Sequence, residues 1–521
     1  MTKRPVLTRP TWDDLAAGIS VALVLVPQAL AYASLAGLPP VHGLYAAAVA
    51  PIAAALVGSS PYLQTGPVAL TSLLTFGALA PLAASGQVGS ATFAAHGALL
   101  ALMVGAIRLL LGLLRWGGLA YFMSLPVVTG FTVAAALLII CAQIPGLVGV
   151  APRGGNPPAV AASALSQPQR WSAAAIVIGL ATIAVVITAR QVRLRYPRAA
   201  RLPWVLLAMG AALVVTRLGL VTVPQIGAVP SGLPTPQLGL PWTSVPSLLV
   251  PAVLIALVGF AEPASIARRY AAEDRRPWNP EREFIGQGLA NAAAGCFGGY
   301  PVGGSFSRSA LNRAAGARTR WSGAVAGLAV LAVLPVAGPL ESLPTAVLAG
   351  VVIATVLPLV DLSGFRDYWR YSRAQFLVAL PTLVVTLATA PQVERGLLVG
   401  VGLALVVHLW RETRIHVTAD HQAGTLYLRP EGVLYFASTP VLDARLAELL
   451  DRHEHTSRVV VDLSRLGRLD LTGLLALRDF AGYAADRGAQ LELRGVPTHA
   501  RERVQRVFGE GDTGVTISPG E

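Results

Sequence analysis

Two stretches decide the architecture: Gln64-Thr65-Gly66-Pro67-Val68-Ala69-Leu70-Thr71-Ser72 and Tyr300-Pro301-Val302-Gly303-Gly304-Ser305-Phe306-Ser307-Arg308-Ser309. Each places Pro and Gly at the head of a short, hydroxyl-rich helix within otherwise apolar sequence. A helix that begins inside a membrane leaves its first N–H groups without intrahelical partners and its positive dipole end exposed. Such an end must line a cavity or meet a ligand, and the ligand it favours is an anion. An ordinary Gly/Pro kink is the plainer account of either stretch alone. Matching positions in two halves of a chain point instead to an inverted-repeat transporter with its site near the membrane midplane.

The surrounding sequence supplies that membrane context. The 521 residues are 54% hydrophobic and 13% charged, against about 25% charged in a soluble globular chain. Apolar runs of spanning length lie near 15–36, 41–58, 66–83, 92–113, 118–140, 172–189, 202–218, 247–267, 283–299, 305–315, 321–338, 343–360, 374–390 and 395–410. These make about fourteen segments in two halves of seven, and the two unusual stretches open the third and the tenth. After Trp410 the sequence becomes charged and ordinary, so 1–410 reads as a transmembrane domain and 411–521 as a soluble one.

The net charge of +13 suggests nucleic acid in a soluble protein. Here the basic residues gather in alternate loops, as the positive-inside rule requires, and no nucleic-acid partner is implied. With the N-terminus inside, the cytoplasmic groups are Lys3, Arg4 and Arg9; Arg108 and Arg115; five arginines from Arg190 to Arg201; and five from Arg268 to Arg282. Arg313, Arg318 and Arg320, then Arg366, Arg370 and Arg373, then Arg411 and Arg414 complete the set, while Arg153, Arg170, Arg217 and Arg395 fall outside it. Both termini are therefore expected in the cytoplasm of a multi-pass cell-membrane protein. The first apolar run holds Pro27 and Gln28 and has no small-residue cleavage pattern after it, so no cleavable signal peptide is read. Cys141 and Cys296 offer neither a disulfide framework nor a metal site.

Charge inside a span is costly and usually faces a cavity or a partner. Arg308 reads as the only basic residue within a span and Glu262 as the only acid well within one. The two could form a structural ion pair or reach toward the cytoplasmic face. The functional alternative gives Arg308 the task of attracting the anion and makes Glu262 a coupling site, as a proton carrier, a counter-charge to Arg308 or a cation ligand. In the first span Pro27 is expected to interrupt the helix, with Gln28 and Tyr32 one turn apart beside the break. They are candidates for lining the site, or ordinary interhelical hydrogen-bonders.

Asp14-Leu15-Ala16-Ala17-Gly18, Val26-Pro27-Gln28-Ala29-Leu30-Ala31-Tyr32, Leu35-Ala36-Gly37-Leu38-Pro39-Pro40, His42-Gly43-Leu44-Tyr45, Gly58-Ser59-Ser60, Gly66-Pro67-Val68-Ala69 and Gly303-Gly304-Ser305-Phe306-Ser307-Arg308-Ser309 together resemble the SulP family, the bacterial and plant relatives of the animal SLC26 anion transporters. The resemblance covers essentially the whole chain. It implies an α-helical polytopic fold of two inverted seven-segment repeats, arranged as a core moving against a gate, and a homodimer. It places an anion site between the third and tenth segments, with Gln28 and Tyr32 lining it, Val68 and Ala69 offering backbone N–H groups, and Phe306, Ser307 and Arg308 opposite. Glu262 falls where the family carries an acid linked to proton or sodium coupling; Glu rather than Asp favours protons.

The tail reads independently as β/α, with a hairpin at 425–428 and 433–436 and a strand at 458–463. It resembles the STAS domain that accompanies this family. Asp470-Leu471-Thr472-Gly473 is similar to the Asp-Ser-Ser/Thr-Gly turn of that domain, and Thr472 is expected to cap the next helix. In related bacterial antagonist proteins the second hydroxyl is phosphorylated, which makes Thr472 a regulatory candidate; Leu471, in place of the first hydroxyl, favours capping alone.

His453 and His455 do not face each other on a helix and make a poor metal pair. The Gly509-Glu510-Gly511-Asp512-Thr513-Gly514 tail precedes no helix. No Walker motif and no nucleophile–base constellation appears, so neither ATP-driven transport nor an enzyme is read, and no cofactor is expected. The leading reading is a secondary active, proton-coupled symporter of a small anion such as sulfate, bicarbonate or a dicarboxylate like fumarate, working by alternating access among membrane lipids. An uncoupled channel or exchanger, and a membrane-anchored STAS sensor, are the alternatives.

Overall fold

The computed structural model describes residues 9–84, 90–118, 124–153, 155–195, 204–237, 239–453, 455–509 and 515–518. Lys3, Arg4, Arg198, Arg201 and 510–514 of the glycine-rich tail lie outside the described residues. The chain divides into two compact units, Met1–Val401 and Gly402–Glu521.

The first unit is almost wholly helical. Its first half holds α1 (Trp12–Leu35), α2 (Pro40–Val57), α3 (Ala69–Ala84), α4 (Ser90–Leu113), α5 (Leu125–Val148), α6 (Pro157–Leu165), α7 (Ala173–Arg195) and α8 (Trp204–Arg217). The second half holds α9 (Val245–Glu273), α10 (Pro280–Cys296), α11 (Phe306–Ala314), α12 (Trp321–Val333), α13 (Thr345–Val356), α14 (Ser363–Tyr371), α15 (Arg373–Ala388) and α16 (Glu394–Glu412), which runs across the division into the second unit. A helix coincides with each apolar segment of the sequence reading. The short helices α6 and α14 were not expected. Among the described residues, six helices are long and apolar enough to cross a membrane, and several shorter apolar ones accompany them.

The two halves interleave. Helices α1, α2 and α4 pack on α10 and α12, and α3 and α4 pack on α9. Helix α5 packs on α7, α13 and α15 in a second bundle. Each bundle thus draws on both halves of the chain. Lipid offers no hydrophobic drive between helices, so close approach depends on small side chains. The α4–α10 crossing is built that way. A Cβ added at Gly105 would meet the Ala292 amide nitrogen at 2.6 Å, and one at Gly295 would meet the Ala98 carbonyl at 2.6 Å. At the α1–α2 crossing, a Cβ on Gly43 would lie 1.9 Å from the Ala29 carbonyl oxygen.

Helix α1 starts in a capping box, Thr11 Oγ1 accepting from the Asp14 amide and Asp14 accepting from the Thr11 amide. Asp14 also accepts from the amides of Arg318 and Thr319, tying the start of α1 to the loop before α12. Pro27 does not interrupt α1, contrary to the sequence expectation: the helix runs from Trp12 to Leu35 with Pro27 inside it. The proline removes one i→i−4 bond, and the packed neighbours hold the helix through the gap.

The second unit contains a mixed sheet with the order β3 (His416–Gln422), β4 (Thr425–Leu434), β5 (Arg458–Asp462), β7 (Gln490–Arg494), β8 (Val515–Ile517), and β6 (Leu466–Leu469) pairs with β4. Among the described strands of this sheet only β3–β4 is antiparallel. Helices α17 (Thr439–Asp451), α18 (Leu471–Ala485) and α19 (Arg501–Gly509) complete it, over a core that includes Leu428, Val461, Leu477 and Phe480. The hairpin is displaced from its expected place. Residues 425–434 form one strand, with a register shift between Gly432 and Val433, and the partner is 416–422. The turn falls at Ala423-Gly424, both with positive φ, as a two-residue hairpin requires. The α18 cap also differs: Asp470 accepts from the Gly473 amide at 2.9 Å, and Thr472 lies exposed within the first turn.

Candidate functional site

The two decisive stretches meet. Strand β1 (Thr65–Gly66) pairs antiparallel with β2 (Gly303–Gly304), Thr65 opposite Gly304 and Gly66 opposite Gly303. Helix α3 begins three residues after β1 and α11 one residue after Ser305. Two helix N-termini therefore rise from one small ribbon inside the first unit. Glycine is needed for the approach: a Cβ at Gly304 would sit 2.7 Å from Leu63 and 3.1 Å from Pro263. Gly66 has φ of 154°, where side chains are strained, and a Cβ there would face Arg308 Nη2 at 3.5 Å.

The ribbon is clamped by polar side chains that the sequence reading did not single out. Ser305 donates its amide to the Gln64 carbonyl at 3.0 Å and caps α11 through its hydroxyl. Ser309 Oγ accepts from the Gln64 amide at 2.9 Å. Gln287 donates to Thr65 Oγ1 at 2.7 Å, and Asn291 both accepts from and donates to the backbone of Val302. Gln287 and Asn291 are one turn apart on α10; an amide pair at that spacing in an apolar helix was the available signal.

Arg308, in the first turn of α11, is buried to 1% exposure. Its Nη1 donates to Gln28 Oε1 of α1 at 2.9 Å, while among the described residues Nε and Nη2 are buried without partners. Glu262 of α9 lies half-buried, and its Oε1 accepts from the Phe306 amide at 3.3 Å, at the N-terminus of α11. No ion pair joins Arg308 to Glu262, and Arg308 is buried and does not reach toward the surface. Val68 and Ala69 are buried at the start of α3. Phe306 and Ser307 are exposed at the start of α11, with Ser307 Oγ 3.2 Å from Ser305 Oγ. Tyr32 is buried and its hydroxyl lies 3.4 Å from Thr355 Oγ1 of α13, so it bridges helices of the two bundles instead of meeting Arg308. Of the expected residues, direct hydrogen bonds join Gln28 to Arg308 and Glu262 to Phe306, and Thr472 belongs to the second unit.

Arg108 corrects the sequence reading. Assigned there to a cytoplasmic loop, it is fully buried in α4, so Arg308 is not the sole basic residue of the bundle. Its guanidinium donates to the carbonyls of Ala256 at 3.0 Å, Ile255 at 3.0 Å and Val302 at 3.1 Å. A span boundary drawn by hydropathy alone could not distinguish an arginine near a helix end from one turned into the core.

Residues 12–382 match the model of the Sulfate permease family, and residues 415–509 match that of the Mlab STAS domain. "Probable sulfate transporter 4.2" of Arabidopsis thaliana is 32% identical over 92% of this chain and 75% of its own length. "Probable sulfate transporter Rv1739c" of Mycobacterium tuberculosis is 32% identical over 94% of this chain and 90% of its own. The murine Slc26a9 anion transporter, solved in an inward-facing state, has the same fold, with a TM-score of 0.90 at 19% identity over 100% of this chain and 91% of that one. The transmembrane domain of the cyanobacterial bicarbonate transporter BicA gives 0.65 at 22% identity over 75% and 97%. With its interleaved helical unit and its α/β tail, the chain belongs to the sulfate permease (SulP/SLC26) family, as a multi-pass membrane protein that carries a C-terminal STAS domain.

Proposed function

We propose that the chain is a secondary active transporter of small anions, with the anion held between the N-termini of α3 and α11 against Arg308. The observation that carries this reading is the Arg308 guanidinium, buried with two of its three nitrogens unpartnered. A buried cation without a counter-ion is costly. Here it stands beside two positive helix ends, where an anion would supply what it lacks. The N–H groups of Val68, Ala69 and Ser307 would complete the cradle, with Gln28 holding the guanidinium in place and Tyr32 bounding the site.

Glu262 supports proton coupling. Its carboxylate accepts from the first amide of α11, the position an anion would use. Protonation would weaken its claim on that amide and remove a negative charge facing the substrate, so proton and anion would load together. An uncoupled channel or exchanger has no use for a carboxylate at that point. Sulfate stands first among the substrates because the relatives are named for it; bicarbonate and dicarboxylates follow. The two bundles are the elements that would move against each other in alternating access, in a homodimer with both termini cytoplasmic and the STAS domain regulatory. A phosphate on Thr472 would lie favourably at the N-terminus of α18.

The test is uptake of labelled sulfate, bicarbonate and fumarate into proteoliposomes, with and without an inward proton gradient. Gradient-stimulated accumulation of one anion is expected. Failure to accumulate any of the three would overturn the reading.

A further inference from the structure

A basic cavity lies in the first unit, away from Arg308, at the end where α1 begins. Its volume is about 200 Å³, and Ser60, Tyr62, Tyr270, Arg276, Arg282 and Arg320 are among the residues lining it. It is assembled from three loops and two helix ends: the segment between α2 and β1, the end of α9 with the turn into α10, the start of α10, and the loop before α12.

The charges around it are unbalanced. Arg318, also on the wall, pairs with Asp13 at 2.7 Å. Asp274, the one acid on the wall, is already engaged, accepting from Arg313 Nη2 at 2.9 Å and from the Tyr62 hydroxyl at 2.8 Å. Glu283, just behind the wall, is engaged too, accepting from the Ser59 amide and hydroxyl and from the Ser60 amide. Arg276, Arg282 and Arg320 form no ion pair among the described residues. Arg282 donates to the Val57 carbonyl at 3.0 Å and Arg320 to the Gly58 carbonyl at 3.0 Å, so two guanidiniums are fastened side by side on neutral acceptors. Arg320 Nε is buried without a partner. Burial, and then the neighbouring Arg282 cation, press the Arg320 guanidinium below its ordinary pKa against the opposing pull of Glu283.

These three guanidiniums on one cavity wall, with the single carboxylate Glu283 behind them, leave an excess of positive charge. Such a cluster forms a site for a multiply charged oxyanion, because guanidiniums bind such groups in bidentate pairs. The cavity is smaller than the roughly 300–1,000 Å³ pockets that enclose drug-sized ligands, which limits the bound part to one small head group. The aromatic rims Tyr62 and Tyr270 suit the polar boundary of a bilayer. We infer that this arginine cavity binds a phosphoryl group, borne by an anionic lipid head group or by a soluble phosphate, at a site separate from that of the transported anion.

The test is titration calorimetry on the full purified chain in detergent, with pyrophosphate and short-chain phosphatidic acid as probes. Saturable binding of at least one probe is expected, retained in Arg308→Ala. It should weaken about tenfold in Arg282→Gln and in Arg276→Gln, and recover in part with Arg276→Lys. Arg276 is exposed and its side chain forms no hydrogen bond or ion pair among the described residues, so its variants remain informative if Arg282→Gln fails to fold. Binding of phosphatidic acid alone would assign the lipid source; binding of pyrophosphate would assign the soluble one. Absence of saturable binding, or binding lost with Arg308 and indifferent to Arg276 and Arg282, would overturn the inference without touching the transport reading.

Discussion

Arg308 Nη1 donates to Gln28 Oε1 at 2.9 Å, and among the described residues this is the one hydrogen bond that the Arg308 side chain makes. The bond joins α1 to α11 and fixes the guanidinium plane, leaving Nε and Nη2 for a ligand. Arg308→Ala should reduce anion uptake in proteoliposomes at least tenfold, since hydrogen bonds to charged groups contribute about 1.5–3 kcal/mol each. Arg308→Lys should rescue little, because an ammonium lacks the planar fork. Gln28→Ala should raise the half-saturating concentration more than it lowers the maximal rate. Unchanged uptake in Arg308→Ala would remove the site.

Glu262→Gln separates binding from coupling. The amide side chain can still accept from the Phe306 N–H but cannot exchange a proton. Anion counterflow should persist while stimulation by an inward proton gradient disappears. A variant that still accumulates anion in response to the gradient would show that the coupling group lies elsewhere.

Gly66 borders the guanidinium in a conformation that side chains rarely adopt. Gly66→Val should abolish uptake through local strain and crowding at Arg308, while the detergent-purified protein still elutes as a single species. Gly43→Leu at the α1–α2 crossing should instead remove the folded species, because the added atoms meet backbone with no room to move. Size-exclusion profiles of the two variants make the comparison.

Arg108→Leu leaves the carbonyls of Ile255, Ala256 and Val302 without the guanidinium that they share. Hydrogen bonds to charged groups contribute about 1.5–3 kcal/mol each, so a marked fall in thermal stability is expected by scanning fluorimetry, although the Val302 carbonyl keeps its bond from Asn291. Stability equal to the native chain would mean that water or the helix backbone replaces the arginine.

In the second unit, burial pushes the Glu492 carboxyl up, but the Ser518 hydroxyl at 2.6 Å, Arg494 at 2.9 Å and Arg458 outweigh it and hold the pKa at about 2. A pKa depressed on folding contributes stability that is complete above the unfolded value of about 4.3 and is lost as pH falls toward 2. Glu492→Gln should therefore lower stability to urea at neutral pH, with the gap from the native chain closing between about pH 4.3 and about pH 2. A gap constant across that range would show that the side chain acts by packing alone.

Much of this protein was legible in one dimension. Apolar length, alternation of basic loops and two Pro/Gly-headed segments were enough to expect a membrane unit of two related halves. They also singled out Arg308 and Glu262, because the cost of exposing backbone or charge to lipid is set by composition and local order. The β1–β2 pairing joins residues that the chain separates by more than two hundred positions, and only the tertiary structure brings them into register. It also decided that Arg308 faces Gln28 rather than Glu262, that Glu262 turns to an amide, and that Arg108 points inward. Hydropathy along the chain measures how far a residue is from water, whereas partners depend on the direction of each side chain from its helix. Asp470 replaces Thr472 as the α18 cap for the same reason: both oxygens are available in the sequence, and the backbone angle at the turn selects the one that reaches the Gly473 amide.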